Sequence, residues 1–116
     1  MVRLDTYITY TLGTSPMGMP SAQVDYIKAA QQSGVTIDTL TLMTMDMGGT
    51  DNVADAQTAI TSGAQQLATV YNLQASDAMQ KMGMLPAIGV DDNGVVIDLA
   101  GATTRECLFL MEYLLT

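Results

Sequence analysis

Histidine and tryptophan are missing from this chain, cysteine occurs once, and lysine and arginine together number four. Each shortage removes a class of function. Without histidine there is no Ser–His–Asp or Cys–His nucleophile pair and no imidazole-ligated metal. The lone Cys107 excludes an internal disulfide and any cysteine-built zinc site. Its apolar surroundings, CLFLMEYLL, read as those of a buried, inert thiol. Four basic residues against twelve acidic ones give a formal net charge of −8, which argues against nucleic acid or an anionic membrane as partner. No apolar run reaches the roughly 20 residues of a bilayer-spanning helix. No basic start followed by an apolar core marks a signal peptide, and the sequence leaves the localisation open.

What is present is a chain of 116 residues, 48% of them hydrophobic, enough for a single domain over 1–116 with a modest core. The stretch from Val35 to Gly49, VTIDTLTLMTMDMGG, organises it. A β-branched, apolar first half that turns polar and ends in two glycines has the form of a buried parallel strand. Such a strand delivers side chains to a site at its C-terminal end. Alternation sets Thr41, Met43 and Met45 on one face and Leu40, Leu42 and Thr44 on the other. Asp46 stands where the strand should stop, either as a cap for the next turn or as a site residue. Strict alternation puts it opposite Met45, unless the strand ends at Met45 and the chain then turns inward.

Before this stretch, Leu4–Leu12 reads as a strand bounded by Gly13, and GTSPMGMP as a loop. Ser21 is the expected N-cap of a helix that ends before Gly34, with Val24, Ile27 and Ala30 at helical spacing. After it, Val53, Ala56, Ile60, Ala64, Leu67 and Tyr71 form the clearest helical stripe, and Gly63 within it suggests close packing on a neighbour. Ser76–Met82 predicts a short second helix stopped by Gly83, and Met84–Val90 a third strand. Asn93-Gly94 between apolar runs signals a hairpin. The acidic residues Asp91 and Asp92 there read as a solvated turn, because the spacing fails as a calcium loop: Val95 and Ala102 fall where ligands belong. Thr103 and Glu106 form a capping box for a last helix over 104–115.

Met43-x-Met45-Asp46 resembles the sixth-strand motif of family 18 glycoside hydrolases, the chitinases, in its bacterial Met-x-Met-Asp-Tyr form, with Met47 here in place of the final Tyr. ITYTLGTSPMGM resembles that subgroup's fifth strand and loop, and the stretch from Ala56 to Asp92 its sixth helix and seventh strand. The resemblance covers nearly the whole chain, about strand 5 to helix 7. It implies an α/β fold: part of a TIM (β/α)8 barrel with three consecutive parallel βα units, a short extra helix and a possible small hairpin. It also implies a site for chitin or N-acetylglucosamine oligosaccharides, with Met43, Met45 and Asp46 in the sugar pocket. Tyr10 on the first strand is a further candidate for the same face, or else core. Met43 and Met45 likewise read as plain core if the resemblance is set aside.

Enzymes of that family use the substrate's own N-acetyl group as nucleophile, so the protein supplies one general acid and a pocket. The acid is the Glu that ends an Asp-x-x-Asp-x-Asp-x-Glu motif on the fourth strand. That motif is absent here, and the only glutamates, Glu106 and Glu112, fall on the last predicted helix. No catalytic residue is therefore assigned, and no metal or cofactor is expected. Three readings follow: a fragment of a chitinase-type hydrolase, inactive by itself; a self-associating structural protein; or a sugar-binding remnant. Three strands with all helices on one side also predict a bare, largely apolar sheet face and two open edges. Self-association would cover these.

Overall fold

The computed structural model describes residues 7–45, 47, 53–85, 89, 90, 92, 94, 96 and 97. Three strands, β1 (Thr9–Gly13), β2 (Thr39–Met43) and β3 (Met82–Leu85), form one parallel sheet in the order β1-β2-β3. Thr9 pairs with Thr39 and Gly13 with Met43, while Leu40 pairs with Met82 and Met43 with Leu85. Parallel strands need a crossover. Helix α1 (Ser21–Gln32) joins β1 to β2, and α2 (Val53–Tyr71) with the short α3 (Ala75–Met79) joins β2 to β3. This is the arrangement of consecutive strands and helices in a (β/α)8 barrel, present in part.

The alternation read from β2 is the alternation of burial. Leu40 and Leu42 are fully buried, and Thr39, Thr41 and Met43 are half-buried. Leu40 and Leu42 meet Ile27 and Ala30 of α1 and Ile60, Ala64 and Leu67 of α2 in one cluster, so both helices cover the same face. Crossovers of a single hand place them there. The α2 stripe is buried where expected at Ala56, Ile60, Ala64 and Leu67, with Tyr71 packed at its edge. Gly63 is the point of closest approach. A Cβ there would lie 2.6 Å from Leu42 Cδ1 and 3.2 Å from Met82 Cε.

Several boundaries differ from the sequence reading. The first turn of α1 is started by the Pro20 carbonyl, which accepts hydrogen bonds from the Gln23 and Val24 amides at 3.0 and 3.1 Å. Pro20 is thus the N-cap, and Ser21 is already helical. Helix α3 ends at Met79, and Gly83 lies inside β3 rather than stopping a helix. Its role is lateral, since a Cβ on Gly83 would fall 2.6 Å from Thr41 Oγ1. The third strand closes at Leu85. Gly89–Val90 (β4) instead pairs antiparallel with Val96–Ile97 (β5), the hairpin expected around Asn93-Gly94. Gly94 has φ +80°, the backbone state for which a tight turn selects glycine. The predicted last helix, with Glu106, Cys107 and Glu112, lies outside the described residues.

Candidate functional site

The two ends of the sheet differ in chemistry. At the N-terminal ends of the strands, side chains are spent on holding the backbone. Asp38 Oδ2 accepts the Ile8 amide at 2.7 Å, and Lys81 Nζ donates to the Ile37 carbonyl at 3.1 Å. Tyr71 donates its hydroxyl to the Val35 carbonyl at 2.7 Å, and the Tyr7 and Thr39 hydroxyls are bonded to each other. Partial burial, and then the neighbouring Tyr10 phenol, push the Tyr71 phenol above its ordinary pKa of 10.0. These contacts fix strand positions and leave little free for a ligand.

The C-terminal ends carry Gly13, Met43, Met45 and Leu85. The Thr44 amide donates to the Leu85 carbonyl at 3.0 Å, which carries β2–β3 pairing one residue past Met43. Alternation therefore persists through Thr44 and keeps Met43 on the bare face, and half-buried Met45 follows at a bend beyond the strand. Met47 leaves that face. It is buried with Ala56 and Ala59 of α2, with Met84 packed against them. Asp46 and Asp91 lie outside the described residues, and Asp92 is exposed.

Tyr10 is not brought to this site. It pairs with Leu40, so it shares the helix-covered face and packs against the main core cluster. The candidate assignment failed on register: Tyr10 and Met43 differ by an odd number of positions across a ladder that pairs Gly13 with Met43. The bare face also differs from the expected apolar one. Thr9 stands beside Thr39 and Thr11 beside Thr41, so its N-terminal half is a patch of four threonines. At its C-terminal end Met43 stands beside Leu85, and at its N-terminal end the Tyr7 ring joins Thr39.

Two residues that the sequence reading used as mere boundaries shape this face. Gly13 flanks Met43 on one side, where a Cβ would stand 3.9 Å from Met43 Cε. Gly83 flanks Thr41 on the other. With no side chains at these two positions, the floor between β1 and β3 is lowered around Thr41 and Met43. Glycine within a strand is itself the signal for such a close approach. The strands of the sheet carry no acidic residue, and among the described residues no cluster of acidic or cysteine side chains could hold a metal ion.

The loop that follows β1 is fixed from a distance. Ser15 and Gly18 exchange backbone hydrogen bonds at 2.9 and 3.1 Å, and the Gln66 amide grips both the Met19 N–H and C=O at 2.8 and 2.9 Å. Gly18, at φ +118°, lies against Gln66 and Ser62, where a Cβ would come within 3.0 Å of each. The turn presents Met17, which is 81% exposed. Gln66 carried no sequence signal, because its partner is 47 residues away.

No family model matches the chain, and no curated protein matches it in sequence. Solved structures do share its fold. The catalytic domain of a hyperthermophilic chitinase from Pyrococcus furiosus superposes with a TM-score of 0.83 at 24% identity. Catalytic-site mutants of active domain 2 of a thermostable chitinase from the same organism, complexed with chito-oligosaccharides, superpose at 0.84 and 23%. Each match covers 91% of this chain and 36% of the other, so the chain spans about a third of those domains. The likeness shows the fold: this is a partial barrel of the kind found in chitinase catalytic domains.

Proposed function

We propose that this chain is part of a family 18 chitinase-type glycoside hydrolase, acting on β-1,4-linked N-acetylglucosamine polymers, and supplies the floor of its sugar pocket. The observation that carries this is the position of Met43 and Met45. Met43 lies on the bare face at the C-terminal end of β2, beside the lowered floor at Gly13 and Gly83, and Met45 follows two residues beyond it. Barrel enzymes bind substrate at that end. The chito-oligosaccharides in a solved relative of the same fold support the ligand class. Asp46, next to Met45 in sequence, would accept a hydrogen bond from the acetamido group. The general acid must come from elsewhere in such a barrel, so the chain alone binds without hydrolysing.

Titration calorimetry with a chitin oligomer tests the reading. A hydrogen bond to a charged group is worth about 1.5–3 kcal/mol, so Asp46→Ala is expected to weaken binding by roughly tenfold or more. Equal affinity in the variant, or no heat with the native chain, overturns it. A fluorogenic chito-oligosaccharide conjugate is expected to stay at the buffer blank. Self-association through the sheet edges or the bare face is the second reading, favoured by the absence of a pairing partner on either outer strand among the described residues.

A further inference from the structure

The chain holds ten methionines, and the fold sorts them. Among the described residues, Met19, Met47, Met79 and Met82 are buried, and Met43, Met45 and Met84 are half-buried. Met17 alone of these is exposed, and it belongs to neither core cluster. The turn that carries it is held on both sides. The Ser15 hydroxyl donates to the Gly18 carbonyl at 2.9 Å and accepts the Met17 amide at 3.2 Å. With the Ser15–Gly18 backbone pair and the Gln66 grip on Met19, these bonds fix the turn, and none of them uses the Met17 side chain. The fold therefore presents this thioether without depending on it. The turn follows the C-terminal end of β1. Completing a barrel adds strands at the sheet edges and leaves that end, with its βα loops, facing solvent and substrate.

We propose that Met17 is a reversible oxidation site, open to peroxide-class oxidants and to the thiol-dependent reductases that repair methionine sulfoxide. In the forward step the sulfur lone pair attacks one peroxide oxygen, and the O–O bond breaks. That oxygen stays on sulfur as the sulfoxide, and the other leaves as water with both peroxide protons. Sulfur is oxidised by two electrons, and the peroxide is reduced by the same two. In the return step two reductase thiols become a disulfide, and the sulfoxide oxygen leaves as water with their protons. The added oxygen turns an apolar side chain into a polar one. At Met17 it meets solvent. At buried Met82, whose Cε lies 3.2 Å from where a Gly63 Cβ would stand, it would enter the core under α2. A polar group placed there without a hydrogen-bond partner is costly. A buried thioether also waits on local opening before an oxidant can reach it. Position thus decides both the rate of oxidation and its consequence.

The inference does not rest on the sugar reading, and no sheet edge enters it. Hydrogen peroxide added to the folded chain tests it, with peptide mass mapping over time. Met17 is expected to gain its oxygen at least about tenfold faster than the buried methionines, which wait on opening. It is also expected to lead half-buried Met43, Met45 and Met84. In denaturant this ranking is expected to vanish. Methionine sulfoxide reductases for both sulfoxide epimers, supplied with a dithiol, are expected to return the folded chain to its native mass. Met17→Gln, which sets a polar side chain of similar length on the turn, is expected to keep the native denaturation midpoint. Met82→Gln is expected to lower it or to prevent folding. Oxidation of Met43 or Met45 as fast as Met17 overturns the proposal, as does a ranking that persists in denaturant. A sulfoxide repaired only after unfolding overturns it as well. So does a midpoint lowered as far by Met17→Gln as by Met82→Gln.

Discussion

The two faces of β2 are built from the same five residues and have opposite fates. On one, Leu40 and Leu42 are sealed by two helices. On the other, Thr39, Thr41 and Met43 keep partial contact with solvent. The difference teaches that, among the described residues, this sheet is covered by helices on one side only. The covered face carries the hydrophobic burial, and the bare face is free to be polar and to carry glycines. A barrel that closed around a packed interior would fill that inner face with bulky branched aliphatic side chains. Thr9, Thr11, Thr39, Thr41 and Gly83 suit a wetter surface.

The contrast is broken most strongly at Leu42. Leu42→Ala leaves a cavity under α2 and is expected to cost about 2–5 kcal/mol. Thr41→Ala, one residue away on the bare face, is expected to fall within about 1 kcal/mol of the native chain. Chemical denaturation of both variants measures the gap. Equal losses would mean that the bare face is packed after all.

A smaller effect is expected at Gly63. Alanine there gains up to about 1 kcal/mol in helix propensity, but its Cβ would press to within 2.6 Å of Leu42 Cδ1. Overpacking of a tight contact costs typically about 1–3 kcal/mol, so Gly63→Ala is expected to be net destabilising in a denaturant titration. A more stable variant would show that α2 has room to move off the sheet.

How much of this was legible in the sequence follows from where the information sits. The two faces of β2, the α2 stripe and the hairpin at Asn93-Gly94 are set by local periodicity and turn chemistry, and they were readable. The face of Tyr10 was not. It depends on the register between β1 and β2, which no single strand records. Gly13 and Gly83 were read as terminators because glycine stops elements as often as it thins them. Only the neighbouring strand shows that Thr41 needs the space at Gly83. Ser21 lost its cap role because the Pro20 carbonyl opens the helix one residue earlier. Around the candidate site, the face of Met43 was legible from alternation, whereas the grip of Gln66 on Met19 was not.

That grip gives the next prediction. Gln66→Ala leaves the Met19 N–H and C=O without partners in a partly buried place, at a cost of about 1–3 kcal/mol. It is also expected to loosen the turn at Met17, read as faster proteolysis between Ser15 and Met19. Unchanged proteolysis would mean that the turn's own Ser15–Gly18 bonds suffice.

The smallest effect tests the face assignment of Tyr10 through its neighbour. The Tyr71 phenol has a folded-state pKa raised above 10.0 by burial and by Tyr10. An acid whose folded pKa is raised keeps its proton in the folded chain while the unfolded chain loses it. Stability is therefore full below the unfolded value and falls as pH rises from there through the folded pKa. The native chain is expected to lose thermal stability as pH rises from about 10, the ordinary tyrosine value. Tyr71→Phe should flatten that fall while lowering stability at neutral pH by about 1 kcal/mol, through the lost bond to the Val35 carbonyl. Tyr10→Phe should flatten it in part, because only the second cause is removed. If Tyr10 stood on the bare face with Met43, its replacement would leave the Tyr71 titration where it was. An alkaline fall as steep in Tyr10→Phe as in the native chain would therefore return Tyr10 to the bare face beside Met43.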